Sequence, residues 1–204
     1  MWLLIAVTLA SPIADDYPHA GAGLALTVLF GVLVGTRISA NRTIMIRVVL
    51  PLSGLWIGTR LLEGFGYRPI VCNFAGHVIG LLLSCTILWA IFGRLGSCEV
   101  TSGVLAEAFI SYLTIAIAFS QLFWLLNQAV TDAFRPSLLP AHGTDFLYFS
   151  MVTLTGVGYG GIVPLNSFVR LVAALETMAG IFYVAVVVAR LAGIFHRTKG
   201  ALQD

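Results

Sequence analysis

From Asp145 to Gly161 the chain reads DFLYFSMVTLTGVGYGG, with glycine at 156, 158 and 160 alternating with Val157 and Tyr159. Aiming consecutive carbonyl oxygens to one side demands backbone dihedrals that residues with side chains resist and glycine tolerates. The chemistry on offer is therefore that of main-chain oxygens, which can replace the water around a cation. Val157 and Tyr159 would then point away and pack against surrounding protein. Ahead of the glycines, Thr144 is a candidate helix N-cap, with Asp145 in the first turn. The partly negative C-terminal end of such a helix favours a cation beside it.

Other chemistry is sparse. The sequence contains no metal-ligand cluster, nucleophile elbow or paired midplane carboxylates, so neither an enzyme nor a resident cofactor is expected. Glu176 falls in an apolar stretch, where a charge at mid-membrane costs ~2.5–3.5 kcal/mol. Such residues usually face protein or water. Glu176 either braces the back of the helix before the glycines, near Ser150 or Thr153, or sits as a neutral acid bonded within the bundle. His77 and Asn73 read as packing residues, although histidine titrates in a convenient range. Glu99 and Glu107 read as interfacial. Three cysteines make no disulfide framework. Cys72 and Cys85 would lie roughly 20 Å apart on one helix at ~1.5 Å per residue, too far to bridge.

The elements that must position these residues are membrane helices. The 204 residues are 59% hydrophobic and 10% charged, and the mean hydropathy is +0.98. A soluble domain of this size needs more charged surface. In lipid every backbone polar group must be paired within the protein, and long, non-alternating apolar runs select helices over a barrel. Spans are expected at 20–37, 44–62, 70–93, 104–129 and 166–195. The run 2–13 is either a short first span or a signal peptide. The run 145–155 is too short to cross, since a span takes ~20 residues. Placed between two spans, it reads as a re-entrant loop.

Arg37, Arg42, Arg47, Arg94, Arg190, Arg197 and Lys199 fall on one side of a regularly weaving chain. Basic loops mark the cytoplasmic side. The re-entrant segment then opens outside and the C-terminus is cytoplasmic. The net charge of +2 is too small to suggest nucleic acid as a partner. Residues 197–204 are too few for a cytosolic ligand-binding domain.

The re-entrant segment resembles the pore loop of potassium channels, whose filter usually reads T-V-G-Y-G. Gly156 to Gly160 match those five positions, and Thr153 and Thr155 match the end of the family's pore helix. Carbonyl-ring selectivity in that filter is a known case. The resemblance implies K+ bound by the backbone carbonyls of Thr155, Gly156, Val157, Gly158 and Tyr159, with Gly160 ending the filter. It implies a homotetramer, because one strand supplies a quarter of the ring. The run from Glu176 to Gly193 is similar to the inner helix of small bacterial members and places the hinge at Gly180. Close helix packing is the other reading of that glycine. By helical spacing Thr177, Ile181, Val184, Val188 and Ala192 share a stripe with it. That stripe faces either a water-filled cavity or a neighbouring helix. The close resemblance covers roughly residues 104–195.

The expected architecture is an all-α membrane protein. Residues 1–99 form four peripheral helices, voltage-sensor-like but without sensor charges, since 70–93 contains no Lys or Arg. Residues 100–196 form the pore module of outer helix, re-entrant pore helix with filter, and inner helix. The implied function is passive, potassium-selective conduction across the plasma membrane. A weakly selective cation channel is the alternative. Gly156 stands where the family has a threonine, whose hydroxyl helps form the innermost ion site. Gly161 replaces a common aspartate, and Val152 occupies the place of the carboxylate that pairs with it. The filter must therefore be braced in another way.

Overall fold

A computed structural model describes residues 47, 50–64, 70–95, 102–136 and 143–200. The runs expected at 2–13 and 20–37, and residues Cys98 and Glu99, lie outside the described residues. The elements in chain order are α1 (Leu50–Gly64), α2 (Ile70–Leu95), α3 (Ser102–Ala129), β1 (Phe134–Arg135), α4 (Gly143–Leu154), β2 (Val163–Pro164) and α5 (Ser167–Gly200).

Three of the described helices are long and apolar enough to cross a membrane, over Val71–Trp89, Ala108–Ala129 and Ser167–Ala189. Four of their hydroxyls are paired locally, which suits a bilayer. Ser84, Ser111, Thr114 and Ser120 donate back to carbonyls three or four residues earlier on their own helices, as serine and threonine can within a helix. The 15 described residues of α1 are about 22 Å long at ~1.5 Å per residue. They occupy the later part of the expected 44–62 stretch. At 34 residues, α5 is about 51 Å long, well beyond a ~30 Å hydrocarbon core.

The 12-residue α4 is too short to cross. It packs against α3 on one side and α5 on the other. It begins at Gly143, one residue ahead of the expected Thr144 cap, and carries Asp145 in its first turn. Phe123 and Trp124 of α3, Phe134 of β1, Phe146 and Phe149 of α4, and Val169, Val172 and Ala173 of α5 form one buried cluster. Within it Phe134 meets Phe123, Phe146 and Phe149 edge to face at 5.2–6.0 Å between centroids, a geometry favoured by the ring quadrupoles.

The peripheral part docks on α3 through α2. The His77 ring stacks on Trp124 at 3.7 Å and 19°, and its Nδ1 is hydrogen-bonded to Gln121 Oε1. His77 is thus a buried packing residue with partners. Cys72 and Cys85 are free thiols.

Candidate functional site

The glycine-rich loop leaves the end of α4 and runs to β2. Its first amides turn back onto the helix. Gly156 N–H donates to Thr153 O at 3.0 Å, and the N–H groups of Val157 and Gly158 both donate to Val152 O, at 3.1 and 3.3 Å. These peptides are trans, and a trans peptide holds its C=O opposite its N–H. The carbonyls of Thr155, Gly156 and Val157 therefore point away from α4, in a consecutive row. The left-handed dihedrals fall at Gly156 (φ 73), Gly158 (φ 58) and Gly160 (φ 79), where only glycine is comfortable. Residues Thr155 to Gly161 are all exposed on the single chain, including Val157 at 54% and Tyr159 at 74%.

The other face of the row is the C-terminus of α4, whose last four carbonyls have no intrahelical partner. Each carbonyl is met. Met151 O accepts from Thr155 N–H at 3.1 Å and from Thr155 Oγ1 at 2.7 Å. Val152 O accepts the two loop amides. Thr153 O accepts from Gly156 N–H and from Thr177 Oγ1 of α5 at 3.1 Å. Leu154 O accepts from Tyr112 Oη of α3 at 3.2 Å.

Glu176 lies on α5 behind the same helix, fully buried. Ser150 Oγ is bonded to Glu176 Oε1 and to Ala116 O of α3 at 2.7 Å, so three helices meet at one hydroxyl. Glu176 Oε2 has no hydrogen-bond partner among the described residues.

Gly180 also lies against α4. A Cβ built on it would sit 2.0 Å from Leu154 O and 3.0 Å from Leu154 C. Close approach to another backbone is therefore one function of this glycine. The helix runs unbroken through it from Ser167 to Gly200.

The residues of the proposed cavity stripe fare differently. Thr177 is half-buried and spends its hydroxyl on Thr153 O and Ala173 O. Ile181, Val184 and Val188 are exposed on the single chain. Ala192 lies on α5, with its side chain outside the described residues. Leu171, Leu175, Met178, Phe182 and Val186 are exposed as well, so apolar surface covers more of α5 than one stripe.

Beyond the loop, β1 and β2 pair antiparallel, Phe134 opposite Pro164 and Arg135 opposite Val163. Leu165 N–H donates to Ala133 O at 2.9 Å. This strap ties the chain just past Gly161 to the turn after α3. Sequence reasoning named neither the strap nor Tyr112. A signal for Tyr112 existed, since a tyrosine inside an apolar span must find its hydroxyl a partner.

Three helices long and apolar enough to cross a membrane, with a half-length helix that ends in an exposed glycine-rich loop, give the architecture of a helical membrane protein. Residues 108–197 match the family described as "Ion channel", which supports an ion-channel pore over this stretch, close to the 104–195 expected. No curated protein and no solved structure matches the chain.

Proposed function

We propose that this chain is one subunit of a homotetrameric, passive, potassium-selective channel of the plasma membrane, with its C-terminus cytoplasmic. The single observation that carries this reading is the row of carbonyls at Thr155, Gly156 and Val157, turned away from α4 by the amides that follow them. Four such rows around an axis replace the water of a potassium ion. The carbonyls of Gly158 and Tyr159 extend the row outward, and Gly160 ends it. The C-terminal end of α4 adds negative potential beneath it. The apolar, exposed surface of α5 and the exposed loop support assembly, because both gain cover from neighbouring copies. Ile181, Val184, Val188 and Ala192 then line an apolar cavity that gates by dewetting. Gly180 serves as the gating hinge in this reading, in addition to its packing.

The test is the full chain in vesicles under opposed potassium and sodium gradients. A reversal potential near the potassium equilibrium value is expected. Equal permeability to the two ions would remove the selectivity, and no flux at all would remove the channel.

A second reading, a weakly selective cation channel, is favoured by Gly156. Its φ of 73 is a conformation in which a β-branched residue is an outlier. Gly156→Thr therefore does more than restore a hydroxyl ring. It imposes strain of about 1–3 kcal/mol or flips the peptide that carries the Gly156 carbonyl. Altered K+/Na+ discrimination in the variant is expected, and identical reversal potentials in the two proteins would refute a role for this position.

A further inference from the structure

We infer that Tyr112 is a positioning residue for the inner end of the carbonyl row, setting the direction of its first oxygen. The inference rests on the channel reading above. Leu154 and Thr155 share one peptide plane. At one edge of that plane Thr155 N–H donates to Met151 O at 3.1 Å. At the other edge Leu154 O accepts from Tyr112 Oη at 3.2 Å. The carbonyl row begins at Thr155, directly after this plane.

The four terminal carbonyls of α4 are not held alike. Those of Met151, Val152 and Thr153 each accept at least one backbone N–H from the loop. Among the described residues, the donor that reaches Leu154 O is the tyrosine hydroxyl from another helix. On its other side the same oxygen meets Gly180 of α5, with no room for a methyl group between them. Leu154 itself is buried, so water has little access to replace the phenol. Removing the hydroxyl leaves a buried carbonyl unsatisfied, and the cheapest relief is rotation of the plane. That rotation turns the Thr155 carbonyl, the innermost ligand of the row.

Tyr183 provides an internal control. It is also half-buried in the α3–α5 contact, and its ring lies 5.5 Å from that of Tyr112. Its hydroxyl donates to Ala108 O at 2.6 Å and is bonded to Ser111, away from the loop. Loss of the Tyr183 hydroxyl weakens the α3–α5 contact and loss of the Tyr112 hydroxyl weakens the α3–α4 contact, and only the second frees the Leu154–Thr155 plane.

The experiment compares wild type, Tyr112→Phe and Tyr183→Phe, as full chains in vesicles, by bi-ionic reversal potential and by thermal unfolding. The expected result for Tyr112→Phe is a K+/Na+ permeability ratio lowered about fivefold, the effect of one lost hydrogen bond. Tyr183→Phe should lower the unfolding temperature while leaving the ratio within experimental scatter. A conducting, selective wild type with an unchanged ratio in Tyr112→Phe overturns the inference and spares the channel reading. Equal loss of ratio in both variants overturns it too, since the effect would then follow from loosening α3 at either contact. A wild type that carries no potassium flux overturns the channel reading and this inference together. If Tyr112→Phe fails to assemble, a fluorinated tyrosine at 112 keeps the shape and strengthens the donor. An unchanged ratio in that protein overturns the inference.

Discussion

The two ends of the glycine-rich loop are held by different physics. At the inner end, Thr155 to Gly158 are fixed by amides folded back on α4 and by hydroxyls from neighbouring helices, Tyr112 and Thr177. At the outer end, the chain past Gly161 is fixed by a two-residue ladder and one further backbone bond. Phe134 anchors the outer strap through its ring contacts with α3 and α4, flanked in the same cluster by Ala133 and Ile162. The inner end therefore depends on single polar atoms, and the outer end on backbone pairing and one buried ring. Gly161 and Val152 leave no carboxylate pair to brace the glycine-rich loop, and the strap ties the chain just past it.

The contrast breaks most sharply at the ring. Phe134 is buried at 3% exposure, and truncating such a phenylalanine costs about 3–5 kcal/mol. Phe134→Ala should lower the unfolding midpoint of the reconstituted protein more than any other change discussed here. It should also raise amide exchange at Val163 and Leu165 while sparing Gly156 to Gly158. Uniform loss of protection along the whole loop would mean the two ends are one unit, and the contrast would fail.

At the inner end the next largest effect comes from adding an atom. Gly180→Ala places a methyl carbon 2.0 Å from a backbone oxygen, and no flexible side-chain tip can move aside. Overpacking of this kind typically costs about 1–3 kcal/mol. Reduced thermal stability together with loss of flux is the expected outcome. If Gly180 were solely a hinge, the alanine variant would keep wild-type stability and change only the opening of the pore.

Much of this arrangement was legible in the chain. The spans at 70–93, 104–129 and 166–195 and the half-span at 145–155 follow from hydropathy and length alone, because a bilayer imposes both. The structure has helices at 70–95, 102–129, 167–200 and 143–154 in those places. The glycine alternation and Glu176 could be read from residue type, and Glu176 does meet Ser150. Cross-helix pairing was harder to see. Nothing local in the sequence tells Tyr112 from Tyr183, since both are tyrosines in apolar helices and differ only in which carbonyl their helix brings near. The strap was hidden for a related reason. Two residues of ladder between Phe134 and Pro164 carry no alternation long enough to read as strand. At Gly156 the alternation pointed to a backbone that glycine tolerates, and its φ of 73 gives that requirement a value no sequence prints.

The finest comparison lies one turn before the end of α4, where Ser150 joins α3, α4 and α5. Its hydroxyl has a single proton and two acceptors in reach, Ala116 O at 2.7 Å and Glu176 Oε1. If Glu176 braces α4 through this contact, the two side chains must be energetically coupled. Ser150→Ala and Glu176→Gln should each lower stability by about 1 kcal/mol, near the net worth of one hydrogen bond. Their double variant should lose less than the sum, with a coupling on the order of 1 kcal/mol, because a shared contact can be broken only once. Thermal or denaturant unfolding of the four proteins closes the cycle. Strict additivity would remove the brace at Glu176 and leave Tyr112 and Thr177 as the cross-helix ties at the inner end.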